Sequence, residues 1–205
     1  IRKTLIKFYY EMNDQRQVVF EQRREIMSSD NVLETLIDMR HEVISDIVYK
    51  SIPEGSYSDK WDHKTLNSDA LKLLVIEINS EKWVKEDVVA EDEISQKLKN
   101  ISDDYMISRA NKIGEKVFRT AEKSLLLQVL DQQWKEHLQA LEQLRQSIGL
   151  RAYGQKDPLN EYKREAFILF EQMLQNLRTV ITSVLSHLEV KEEKDQNVDT
   201  KNNGN

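Results

Sequence analysis

The chain of 205 residues has no cysteine, two prolines and five glycines. Without cysteine there is no disulfide framework and no thiolate metal site, which fits a reducing compartment. Few prolines and glycines disfavour a turn-rich β fold and favour long helices. No apolar run approaches the roughly 20 residues needed to span a bilayer, and no signal peptide is visible. The glycine-rich GxxxxGK[ST] loop is also missing, so the chain lacks that means of cradling nucleotide phosphates. Four scattered histidines, His41, His63, His137 and His187, make no HExxH spacing, and surface or packing roles are expected for them rather than metal binding. Asp131 and His137, six apart, fall on different sides of a helix and form no dyad.

What is present is amphipathic helix. Hydrophobic residues make up 39% of the chain and charged ones 32%, and the formal net charge is −6. These values suit one or two small all-α domains. Leu127, Leu130, Trp134, Leu138, Leu141, Leu144 and Ile148 recur at spacings of three or four, as do Tyr162, Ala166, Phe170, Met173, Leu177, Val180, Val184 and Leu188. The pattern predicts an antiparallel helical hairpin with Leu130, Trp134 and Leu138 as structural anchors. Trp134 offers the largest apolar area for packing on another helix. Gly149 and Gly154 break the helix between the arms, and Asp157-Pro158 suits the start of the second. Arms of two dozen residues would carry the tip roughly 35 to 45 Å from its base.

The tip, residues 149–158, is basic in an acidic protein. From Arg145 to Arg164 there are five cations, Arg145, Arg151, Lys156, Lys163 and Arg164, against Asp157 and Glu161. Tyr153 lies among them. A solvated connector explains such a loop as well as a functional one does.

Upstream, Leu33, Leu36, Ile37, Val43, Ile44, Ile47 and Val48 form a clear helical stripe, preceded by a weaker one through Ile6, Tyr10, Met12, Val19, Phe20, Arg23 and Ile26. The cluster at residues 28–31, Ser-Ser-Asp-Asn, is a good N-cap and by itself predicts a break. Pro53, Gly55, Ser56 and Ser58 mark a boundary. Between 51 and 105, Trp61, Leu66, Leu71, Leu73, Leu74, Ile76, Ile78 and Trp83 sit among acids and predict a small helical unit on its own minor core. Residues 86–93 are expected to open a helix with an acidic, solvated face. The pattern resumes through Ile107, Ala110, Ile113, Val117, Phe118 and Ala121, with a kink possible at Gly114. Residues 191–205 are too polar to order themselves.

Several motifs carry a resemblance. Trp134-Lys-Glu-His-Leu138, the run from Leu144 to Pro158 and Glu161-Tyr-Lys-Arg-Glu165 resemble the two-helix finger of the SecA family, ATP-driven motors of bacterial protein export. Met12-Asn-Asp-Gln-Arg16 and Phe20-Glu-Gln-Arg-Arg24 resemble that family's helical scaffold. Where the family usually has Glu-Tyr-Asp-Asp before this motif, the chain reads Lys7-Phe-Tyr-Tyr10, which removes the acidic pair.

The resemblance implies an all-α piece of such a motor, with a long scaffold helix over 1–50, continuous or slightly kinked, and a helical wing over 51–105. The scaffold continuation and finger would occupy 106–190, and the start of a linker 191–205. It implies that Arg151, Tyr153 and Lys156 contact polypeptide or channel at the fingertip, and that Asn13, Asp14, Gln15 and Arg16 face the motor. Implied partners are the SecYEG channel, unfolded preprotein and the motor domains of the parent chain, at the cytoplasmic face of the bacterial plasma membrane. ATP and magnesium belong to the parent's motor; no cofactor, catalysis or metal is expected here. A stand-alone helical adaptor whose basic tip binds an acidic protein or nucleic acid is the alternative. The net negative charge argues against phosphate-backbone binding.

Overall fold

The computed structural model describes the backbone of residues 2–53, 55–86, 90–151 and 157–189, and side chains over 13–53, 55–85, 90–148 and 157–189. Among these residues there are seven α-helices and no strand. They are α1 (Arg2–Ser28), α2 (Leu33–Ser51), α3 (His63–Leu74), α4 (Ser80–Glu86), α5 (Glu91–Ile113), α6 (Glu115–Arg151) and α7 (Pro158–His187), with a 3₁₀ turn at Ser58–Lys60.

The expected continuous helix over residues 1–50 is interrupted. α1 stops at Ser28 and α2 starts at Leu33. The cap cluster prevails because both helix ends find partners. The Asn31 side chain accepts from Leu33 N at 2.9 Å, and Lys123 Nζ of α6 donates to the carbonyls of Met27 and Ser29 at 2.8 and 2.7 Å. A helix end satisfied in this way loses little by terminating.

Within residues 51–105, Asp62 caps α3 by accepting from Thr65 N at 3.0 Å, and α5 opens with Glu91, Asp92 and Glu93 in its first turn. The Glu93 carboxylate accepts from the Ala90 N–H at 3.3 Å, one half of a capping box. Leu66, Ala70 and Leu74 of α3 pack with Ile94 and Leu98 of α5, Trp61 and Ile76. That core reaches beyond residues 51–105. Val43, Ile44, Ile47 and Val48 of α2 form one of its walls, so the second half of α2 shares a core with α3 and the first half of α5.

Gly114 separates α5 from α6 with φ +97°, a conformation outside the ordinary range of L side chains. It is thus the C-cap of α5 rather than a kinked interior position. Asp157 caps α7 by accepting from Leu159 N at 3.0 Å, with Pro158 at the first position, as the sequence indicates.

α6 and α7 pack together along the hairpin. Near its base Phe118, Leu126 and Leu130 meet Met173, Leu177, Ile181 and Leu185, together with Val19 of α1, Leu36 of α2 and Met106 of α5. Beyond, Leu141, Leu144 and Ile148 pack with Tyr162 and Ala166 in a core made by the two arms. The buried stripes differ from the expected ones in register. Leu126 and His137 are buried where Leu127 and Leu138 are half-buried, and Ile181 and Leu185 replace the more exposed Val180 and Val184. The base of α6 faces neighbours on two sides, so its buried face turns away from a single-partner stripe.

Candidate functional site

α1 lies along the hairpin, and three ties fix it there. At residue 15 the half-buried Gln15 side chain bridges both arms. Its Nε2 donates to the carbonyl of Ala166 in α7 at 3.3 Å, and its Oε1 faces His137 Nε2 of α6 at 2.7 Å. Because the amide donates to Ala166, the oxygen is the acceptor, so His137 carries its proton on Nε2. Further along, Arg23 donates through Nε and a terminal nitrogen to both carboxylate oxygens of Asp131 at 2.8 and 3.1 Å. Lys123 caps the end of α1, as described above. Positions 15, 23 and 27 of α1 meet positions 137, 131 and 123 of α6, so the two helices run antiparallel.

His137 is 4% exposed. Its ring sits between Trp134 and Phe170, with centroid separations of 5.5 and 5.6 Å. Burial pushes its pKa down to about 4, because the charged form has lost its water. The imidazole is therefore neutral near pH 7.

The expected anchors divide. Leu130 is 1% exposed, and Trp134 is half-buried against the same core. Leu138 turns outward and lines a shallow groove with Lys135, Gln139, Glu142 and Gln143. His137 takes the inward place because it lies three residues after Trp134 and four before Leu141, a spacing visible in the sequence but masked by the residue's polarity. Of the motif at residues 13–16, Gln15 faces the hairpin while Asn13, Asp14 and Arg16 are exposed. The backbone of Arg151 closes α6; its side chain, Tyr153 and Lys156 lie outside the described residues.

A second cluster joins α2 to α5. Arg40, 5% exposed, donates to Asp103 at 2.5 Å, and His41 Nε2 lies 3.0 Å from the same carboxylate. Desolvation raises the Asp103 pKa, but the hydrogen bonds from Arg40 and His41 outweigh it and hold the group below its usual value. On α6, burial pushes Glu122 up despite its bond to Arg119. The other histidines are also engaged, His63 with Ser80 and His187 with the Ser183 carbonyl. No cluster of three or more His, Asp or Glu suited to a metal ion occurs among the described residues.

Comparison with known proteins adds a family. The model of the SecA wing and scaffold domain matches residues 1–189. Protein translocase subunit SecA 1 of Rhodopseudomonas palustris is 44% identical over 190 residues, covering 93% of this chain and 20% of that protein. Protein translocase subunit SecA of Bradyrhizobium diazoefficiens shows the same identity and coverage. The chain spans about a fifth of the length of these relatives.

Proposed function

The chain belongs to the SecA wing and scaffold domain family, and on that premise we propose that it is the scaffold, wing and finger portion of a preprotein translocase motor. It couples motor movement to polypeptide passage through a SecYEG channel and restrains ATP turnover when the channel is not engaged. ATP and magnesium act in the parent's motor. Exposed Asn13, Asp14 and Arg16 face that motor, and Arg151, Tyr153 and Lys156 contact polypeptide or channel at the tip. The module works at the cytoplasmic face of the membrane. No helix among the described residues is long and apolar enough to cross a bilayer.

The clasp of α1 on both hairpin arms carries this reading. Gln15 reaches one residue 122 positions away and another 151 positions away, and Arg23 reaches one 108 positions away. A displacement of α1 along its axis would therefore be transmitted to the hairpin rather than absorbed in a loop. The test is a full-length SecA subunit carrying Gln15→Ala with Arg23→Ala, assayed for preprotein transport into membrane vesicles and for ATP hydrolysis. Transport is expected to fall several-fold while basal hydrolysis holds or rises. Wild-type transport would overturn the coupling role of the clasp.

A further inference from the structure

The three ties between α1 and the hairpin differ in kind. Arg23 and Asp131 have side chains 38% and 52% exposed, and Lys123 holds carbonyls at a helix end. Exposed ions of this sort re-pair readily, because water solvates them between partners. The apolar contact of Val19 with the hairpin core tolerates a slip of one turn at moderate cost, because the long side chains of Gln15 or Arg23, which would take its place, can turn their polar ends to water. The pair formed by Gln15 and His137 does not, since the imidazole is buried and its N–H has no water to turn to.

A slip of one turn along α1 brings residue 19 or residue 11 to the place of Gln15. Val19 would leave the His137 N–H without an acceptor, and Glu11 would carry a carboxylate into the aromatic pocket of Trp134 and Phe170. A slip of α6 toward Leu141 would leave the Gln15 amide facing an aliphatic side chain. The slips that bring in Val19 or Leu141 strand a polar group, and the slip that brings in Glu11 buries a carboxylate.

We propose that Gln15 and His137 are a register key: a buried polar pair, completed by the Ala166 carbonyl, that admits one axial alignment of the scaffold helix on the hairpin. His137 is a positioning residue. Its Nε2–H orients the Gln15 amide so that the opposite end of the amide grips α7, and one hydrogen-bonded chain thereby sets three helices together. Buried polar pairs of this type select register in helical assemblies at some expense of stability. One stranded group favours the observed alignment roughly 10- to 100-fold. The consequence for transport rests on the coupling function proposed above, while the key itself does not.

The absence of cysteine allows two spin labels to be placed cleanly, at Gln17→Cys on α1 and Gln132→Cys on α6, both exposed positions. Pulsed electron resonance on the 205-residue chain is expected to give one narrow distance distribution. The pair Gln15→Leu with His137→Leu removes both polar groups together, so that neither is left buried without its partner, and is expected to add a second population shifted by up to about 5 Å, the axial length of one helical turn. His137→Gln, which keeps a donor, is expected to retain the single distribution. A single narrow distribution in the double-leucine variant, or a split one with His137→Gln, would overturn the proposal.

If the double-leucine variant does not fold, ¹⁵N spectroscopy of His137 in the unmodified sequence decides. A fixed Nε2–H tautomer supports the key, and exchange between tautomers sinks it. In the full-length subunit, loss of transport with the double-leucine variant ties the key to coupling. A split distribution with wild-type transport would leave the key standing and remove the coupling reading instead.

Discussion

Gln15 and His137 are 122 positions apart and meet at 2.7 Å, with the imidazole kept neutral by its burial. The ring's folded pKa of about 4 lies below the ordinary 6.5, so unfolding takes up a proton in the interval. The associated stability is fully present above about pH 6.5 and is lost as pH falls toward 4. Between pH 7 and pH 4.5 this one group should account for roughly 1 to 3 kcal/mol. Urea unfolding of the wild type and His137→Gln at both pH values isolates the contribution, since other titrating groups affect both proteins. Equal pH sensitivity in the two would refute it.

The split between Leu130 and Leu138 gives a second expectation. Leu130→Ala opens a cavity in the shared core of five helices and should cost about 2 to 5 kcal/mol. Leu138→Ala trims a half-exposed side chain beside an outward groove and should cost roughly 1 kcal/mol or less. Denaturant midpoints of the two variants distinguish them, and equal losses would mean that Leu138 packs inward.

Asp103 and Asp131 both pair with arginine, in different surroundings. Asp103→Ala leaves Arg40 charged at 5% exposure. This should destabilise the chain by roughly 2 to 4 kcal/mol, discounted from a fully buried pair because Asp103 is itself a third exposed. Asp131→Ala strands only an accessible Arg23 and should shift the unfolding midpoint much less, and less still in high salt. Thermal unfolding at two ionic strengths tests both statements.

Gly114 is a backbone requirement. A Cβ built there would meet nothing within 4 Å, yet φ is +97°. Gly114→Ala should therefore cost about 1 to 3 kcal/mol through strain alone. A neutral effect in calorimetry would show that α5 and α6 can join without this conformation.

Helix content, the hairpin and its capped second arm were legible because they rest on local signals, apolar spacing and Asp157-Pro158, whereas Gly114 suggested only a kink where its positive φ in fact ends α5. The break at residues 28–31 was legible in Ser-Ser-Asp-Asn, and family resemblance pointed away from it. Lys123, 94 to 96 residues distant, supplies the tertiary contact that stabilises the broken end. Gln15 with His137 and Arg40 with Asp103 could not be read from one sequence, because long-range polar pairing leaves no periodic trace. His137 did occupy a stripe position, but apolar counting passes over histidine and selected Leu138 next to it.

The last prediction concerns the tip. α6 and α7 continue past the clasp as a pair with its own core, Leu141, Leu144, Ile148, Tyr162 and Ala166. From Leu130 to Arg151 the first arm extends roughly 30 Å. A stiff, self-packed hairpin can present side chains far from its base, and Tyr153 offers an aromatic face and a hydroxyl to unfolded segments of many sequences. In a full-length subunit Tyr153→Ala should lower preprotein transport several-fold and leave basal ATP hydrolysis within about twofold, while Tyr153→Phe and Tyr153→Trp retain most transport because ring area supplies the contact. Arg151→Glu should weaken channel engagement more at low salt than at high salt, as an exposed charge does. Wild-type transport by Tyr153→Ala would reduce the tip to a connector, and the function of the hairpin would then rest on its clasped base.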